Sequence, residues 1–292
     1  MHDFCALLSK KNPNMKKSIV TIIALLLAIG ASAGTVTKSF DNLKKFNGIQ
    51  ICDTFKATLV QGDEYKAVVT IDTEFEEYLD VSVVGNLLYV RLRETDFKTS
   101  LRKLNRKTFN VTITAPSINQ IHLTGTSSLV STDLWTSPME YFILELNGTA
   151  KAEKLRIEGA ELKADLSGAS SATVTGDFEE VEVKGAGTSA LFLVGNYEDV
   201  KVNTTGTAKV SFIGSAEDIE CKCAGSSYLD AMELKVKEAD IKCNGASKAT
   251  IDVEEKLDVT LKGASTCQYR SNSESLSVTP NISRASSFKR IH

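Results

Sequence analysis

The stretch DLSGASSATVTG, residues 165–176, sets a short apolar/polar alternation, a run of very small residues and a second alternation end to end. It returns as VKGAGTSALFLVG from Val183 and as LKGAST from Leu261. Aligning the small triplets gives eight copies: IHLTGTS from Ile121, LELNGTA from Leu144, ADLSGAS from Ala164, VEVKGAG from Val181, VKVNTTG from Val200, IECKCAG from Ile219, IKCNGAS from Ile241 and VTLKGAS from Val259. They recur every 17 to 23 residues. A period near 20 built from short strand-like pieces is the mark of a solenoid.

Within each copy the first and third positions are apolar, as in Val181/Val183 or Ile241/Cys243, and the second and fourth are mostly polar. A period of two predicts a strand with one face inside. The triplet that follows holds only Gly, Ala, Ser, Thr and Cys. Stacked coils lie about 4.8 Å apart, so a sharp corner repeated in register has room only for small side chains. After the corner the alternation resumes, as Leu191/Leu193, Val210/Phe212 and Ile251/Val253, before turns such as GNYEDV and GSAEDI lead to the next copy. The expected fold is all-β, a parallel β-helix-like solenoid with coils of about 20 residues. An antiparallel barrel or sandwich is the alternative; no window carries the i, i+3, i+4, i+7 stripe of a helix.

Residues 46–114 differ in texture, with longer alternations broken at the turn dipeptides Gly62-Asp63 and Gly85-Asn86. A solenoid end exposes unpaired backbone, so residues 34–118 are read as an N-terminal β cap and 119–292 as the repeat solenoid of the same domain. Residues 1–33 are set apart. Lys16-Lys17, the apolar run Ile19 to Gly30 and Ala31-Ser32-Ala33 follow the order of a secretory signal peptide, with Met15 as the expected start. The apolar run is too short to span a bilayer, and no membrane span is expected in the mature chain. The expected address is exported: periplasmic, outer-envelope or extracellular.

Beyond residue 33 there remain 30 basic and 36 acidic residues, a net charge of −6, which argues against nucleic acid as a partner. Five cysteines remain, Cys52, Cys221, Cys223, Cys243 and Cys267, and an odd number leaves at least one outside any intramolecular disulfide. Cys221 and Cys243 fall at the inward third position of successive copies and are read as stacked buried thiols, with a disulfide as the alternative. Only His122 and His292 remain, so Ser-His-Asp and His-rich metal chemistry are set aside. No cofactor is expected.

FNGI followed by TLVQGDEY, then LLYVRL, then serial GAS strands resembles the bacterial family described as "putative auto-transporter adhesin, head GIN domain", over about residues 40–292. The resemblance implies a secreted or envelope β-helical domain, common in Bacteroidota, with no catalytic residues to carry over.

Three groups of residues are candidate sites. Glu180, Asp199, Asp218, Asp240 and Asp258 each precede a strand, and a regular stack would align them in a column. Like charges one coil apart repel by about 1 kcal/mol even in water, so something offsets them. Lys201 and Lys242, two residues along, and Lys184, Lys222 and Lys262, four along, favour a charge-balanced face; a calcium site is the alternative. Trp135, in the widest interval between copies, either stacks on a sugar or packs over the core. Lys98, Arg102, Lys103, Arg106 and Lys107 form a basic loop able to grip an acidic glycan. The expected function is a non-catalytic binding or adhesion module contacting a glycan or protein through its solenoid faces. A polysaccharide lyase or hydrolase and a structural envelope component are the alternatives.

Overall fold

The computed structural model describes residues 34–93, 107–137 and 139–291. The expected signal peptide and basic residues Lys98, Arg102, Lys103 and Arg106 lie outside them. The described chain is 66% strand and 2% helix, wound into a β-solenoid of about eight turns. The parallel solenoid is therefore what these residues form, and the barrel and sandwich are set aside.

Each coil has two principal sides separated by the small-residue corner. The strand before the corner, such as Val200 to Thr204 within Ala190–Thr204, lies on the first face. The strand after it, such as Lys209 to Ile213 within Lys209–Cys223, lies on the second. Pairing between successive coils is parallel, as for Ala190–Thr204 on Lys209–Cys223. Inward residues form one continuous core in which Leu193, Val210, Phe212, Ile219 and Val236 are all buried. Each such side chain contributes about 1.5–3 kcal/mol relative to exposure.

The corner explains the small triplet and corrects its alignment. Gly125, Gly148, Gly168, Gly187, Gly206, Gly225, Gly245 and Gly263 all have φ between 72° and 82°. Each stacks on the one before, and the amide of the following residue donates to the carbonyl below, as Thr207 N to Gly187 O at 2.7 Å. The ladder begins at Asp53, itself at φ 62°, whose carbonyl accepts from Thr126 N. Two residues past each glycine a small side chain turns inward. Ser127, Ala150, Ser170, Ser189, Ala208, Ser227, Ser247 and Ser265 are all buried. Where the residue is serine its hydroxyl can bond carbonyls inside the corner: Ser247 donates to Cys223 O at 3.2 Å and Asn244 O at 3.0 Å. A larger residue there would collide with the core.

In this register Ala164 pairs with Val183, Val183 with Val202 and Val202 with Cys221. The three copies aligned from Val181, Val200 and Ile219 are thus two residues out of step. As a result Cys243 stacks on Cys223, and Cys221 on Ile241. None of the five described cysteines is in a disulfide, and all are buried.

The N-terminal segment is woven into the stack as well as closing it. Strand Gly48–Ile51 lies between Leu87–Leu92 and Gln120–Leu123, parallel to both. Lys56–Gln61 lies likewise between Phe109–Ala115 and Ser128–Val130. Gly62-Asp63 therefore does not close a hairpin: Lys56–Gln61 and Lys66–Asp72 flank Phe109–Ala115 on opposite sides. Gly85-Asn86 does close one, between the antiparallel strands Leu79–Val84 and Leu87–Leu92. The end is finished by antiparallel Lys66–Asp72 and Thr35–Phe40. Beneath them the ring of Phe109 meets Phe55 at 5.4 Å and Phe75 at 5.1 Å.

Candidate binding faces

Of the two readings open for Trp135, the structure bears out packing over the core. Trp135 lies on Leu134–Thr136, pairs with Ile157 and is 0% exposed. Its indole N–H donates to Ser131 Oγ at 2.9 Å, and Ser131 Oγ donates to Leu59 O at 2.8 Å. A ring buried on both faces has none to offer a sugar, so Trp135 is a core residue that ties the long interval between copies to the stack. Lys107, the described member of the basic loop, is paired with Glu74 at 2.5 Å. That contact raises its pKa, Glu74 being the largest cause.

The carboxylates form two rows. Glu180 stacks on Asp199 and Asp199 on Asp218, but Asp218 meets Glu238 rather than Asp240. Asp240 belongs to the neighbouring row, between Glu220 and Asp258. The two-residue slip in the alignment is what made them look like one column. Lysines two residues along or one coil away sit among them: Lys242 Nζ is 2.5 Å from Asp240, Lys222 2.6 Å from Glu220 and Lys201 2.7 Å from Glu180. Burial, with Glu238 and Asp199 adding like charge, raises the pKa of Asp218. Among the described residues no group of three or more His, Cys, Asp or Glu side chains is arranged to hold a metal ion. The lysines offset this face only in part, since the like charges of Glu238 and Asp199 still act on Asp218.

The second face carries what the sequence reading passed over. Phe192, Val194 and Ile213 take outward positions, with Val194 directly against Ile213 in the next coil and Ile213 40% exposed. The signal was present in ALFLV, residues 190–194, where apolar residues occupy both phases of the alternation. Nearer the corner, Lys151, Ser171, Ala190, Lys209, Tyr228 and Lys248 form one row. The ammonium groups of Lys209 and Lys248 each lie 5.2 Å from the centre of the Tyr228 ring. The Tyr228 hydroxyl is 3.1 Å from Thr250 Oγ1, which fixes the ring between them.

No helix among the described residues is long and apolar enough to cross a membrane. No curated protein matches the chain. Its fold matches a crystal structure described as a putative adhesin from Parabacteroides distasonis, at TM-score 0.67 and 13% identity over 88% of this chain and 97% of that one. A putative adhesin from Parabacteroides merdae matches at TM-score 0.63 and 13% identity, over 89% and 97%. A protein described as a putative lipid binding protein from Parabacteroides distasonis matches at TM-score 0.61 and 12% identity, over 89% and 98%. At such identities the likeness is one of fold. The family model for "putative auto-transporter adhesin, head GIN domain" matches residues 45–273, which span both the woven N-terminal strands and the glycine ladder, and the chain belongs to that family.

Proposed function

We propose that this chain is an exported, non-catalytic binding module of the bacterial cell envelope that contacts a glycan or protein through its solenoid faces. The observation that carries the reading is the outward group Phe192, Val194 and Ile213 on a sheet face whose other outward residues are mostly polar. Contiguous outward apolar side chains on a rigid face, Ile213 exposed and Phe192 and Val194 half-buried, suit a contact surface. The coil spacing of about 4.8 Å makes that face a regular, pre-organised platform for an extended partner. The leader-like residues 16–33 and the membership in an adhesin family support export and binding together.

The test is retention of the chain from Gly34 on immobilised envelope polysaccharides and surface proteins, wild type against Ile213→Asp. Retention that falls at least tenfold in the variant at unchanged melting temperature is the expected result. Equal retention of the two proteins removes the second face from the reading.

A further inference from the structure

The corner between the two faces carries a second feature, distinct from the apolar group. On the first-face side a shallow concavity of ≈ 450 Å³ is lined by Lys222, Lys242 and Lys262 together with Asn203, Asn244 and Thr260. Across the corner lies Lys248, held against Tyr228. The residues between, Asn244, Gly245 and Ala246, are exposed, and of the three only Asn244 carries more than a methyl group. The result is a saddle: a low ridge with ammonium groups on both flanks and amide and hydroxyl groups in its hollow.

Two of these lysines are not neutralised. Lys222 and Lys242 pair with Glu220 and Asp240 on their own strands. Lys248 and Lys262 have no carboxylate partner among the described residues. Lys248 is instead held by the Tyr228 ring, which fixes the ammonium without cancelling its charge. In a chain with more acidic than basic residues, two uncompensated lysines on adjacent coils at one corner are a local reversal.

We propose that this saddle binds an acidic polysaccharide, a chain of sugars bearing carboxylates, lying along the solenoid axis over the corner. The proposal rests on the binding-module reading above and names its partner. Lysine suits a single carboxylate oxygen as a mobile point charge, whereas planar two-point recognition would call for arginine. Asn203, Asn244 and Thr260 offer the donors and acceptors that sugar hydroxyls need. The neighbouring coils, about 4.8 Å away, add Lys222 beside Lys242 on the first face and Lys209 on the far side of Tyr228 on the second, so a polymer lying along the axis meets further ammonium groups. Nucleic acid fits less well, because the Tyr228 ring already holds the Lys209 and Lys248 ammonium groups 5.2 Å from its centre and is poorly placed to stack on a base.

The experiment titrates the chain from Gly34 with polygalacturonate, neutral dextran and poly-glutamate, using wild type, the double variant Lys248→Gln/Lys262→Gln and the control Lys151→Gln. The double variant breaks no ion pair among the described residues, so its melting temperature should match wild type. Polygalacturonate is expected to bind wild type and the control alike, to weaken at least tenfold in the double variant, and to weaken with added salt. Unchanged affinity in the double variant, or poly-glutamate binding as tightly as polygalacturonate, overturns the proposal. Binding of dextran but not polygalacturonate overturns the acidic saddle while leaving the binding-module reading standing. Failure of every polymer here, and of every partner in the retention assay, overturns both.

Discussion

Gly206 lies directly over Gly187: a β-carbon on Gly206 would stand 2.7 Å from the Gly187 carbonyl oxygen, at a φ of 72°. The same relationship holds between Gly225 and Gly206, and between Gly245 and Gly225. Left-handed backbone and close approach thus coincide at one corner, and only glycine satisfies both.

The first prediction follows from that contact. Gly206→Ala places a methyl group against a carbonyl that must accept the Thr207 amide, and forces an L-residue into the left-handed region. The expected loss is about 2 kcal/mol or more in denaturant unfolding. Gly85→Asn is the contrast. Gly85 has φ 62° but nothing within 4 Å of an added β-carbon, and asparagine tolerates that region, so its cost should stay below about 1 kcal/mol. Equal losses at the two sites would mean that the close approach between coils is not what fixes the corner.

Tyr197 lies inside the stack, between Phe178 at 6.4 Å and Phe212 at 5.9 Å. Its hydroxyl is buried without a hydrogen-bond partner among the described residues, and burial raises its pKa. A buried, unmet hydroxyl costs about 1–3 kcal/mol. Tyr197→Phe removes it with no change in ring packing and is expected to raise the melting temperature. A fall would reveal a partner for the hydroxyl in solution.

His122 Nδ1 lies 2.8 Å from Glu145 Oε2 in the neighbouring coil. That hydrogen bond lowers the Glu145 pKa below the ordinary carboxylate value. The unfolded chain therefore takes up a proton at Glu145 at a higher pH than the folded chain does. The resulting stabilisation is present above the ordinary carboxylate range and is lost as pH falls through the folded-state value. Glu145→Gln should flatten the acid limb of a stability-against-pH curve below about pH 4.3. An unchanged limb would show that the pair contributes nothing in solution.

The cysteine cluster makes a chemical prediction. Cys221 Sγ and Cys223 Sγ are 3.4 Å apart, Cys243 stacks on Cys223, and burial pushes the Cys267 thiol up to about 12. Buried thiols are out of a reagent's reach while the fold stays closed. In the chain from Gly34, a thiol reagent at neutral pH should label cysteines only as fast as the protein unfolds, and label all five in denaturant. Rapid labelling of the native protein would contradict the packing of this part of the core.

The corner was legible in the sequence because its constraint is steric and repeats: every copy draws on the same few small residues. The register was not, because VEVKGAG contains two glycines, Gly185 and Gly187, and only Gly187 has the left-handed backbone that defines the corner. From that slip came the single carboxylate column and the pairing of Cys221 with Cys243. The weave of Gly48–Ile51 between Leu87–Leu92 and Gln120–Leu123 was hidden for another reason, since it joins strands far apart in sequence. Trp135 left two readings open because a lone aromatic in a long interval reads alike whether it faces sugar or core; its burial, which decides for the core, depends on Ser131 and on the strand containing Ile157. The second face was half-written in ALFLV, where Phe192 breaks the alternation that Leu191 and Leu193 keep.

The most direct test of the central claim, that the solenoid faces bind a polymer and do not cleave it, is a thermal-shift screen of the chain from Gly34 against polysaccharides, with soluble sugar products assayed in the same wells. Ligand at 100 times its dissociation constant should stabilise the fold by about 2.7 kcal/mol. The account predicts such a shift without product, abolished for the second face by Ile213→Asp. Release of soluble sugars would contradict it and make the protein an enzyme.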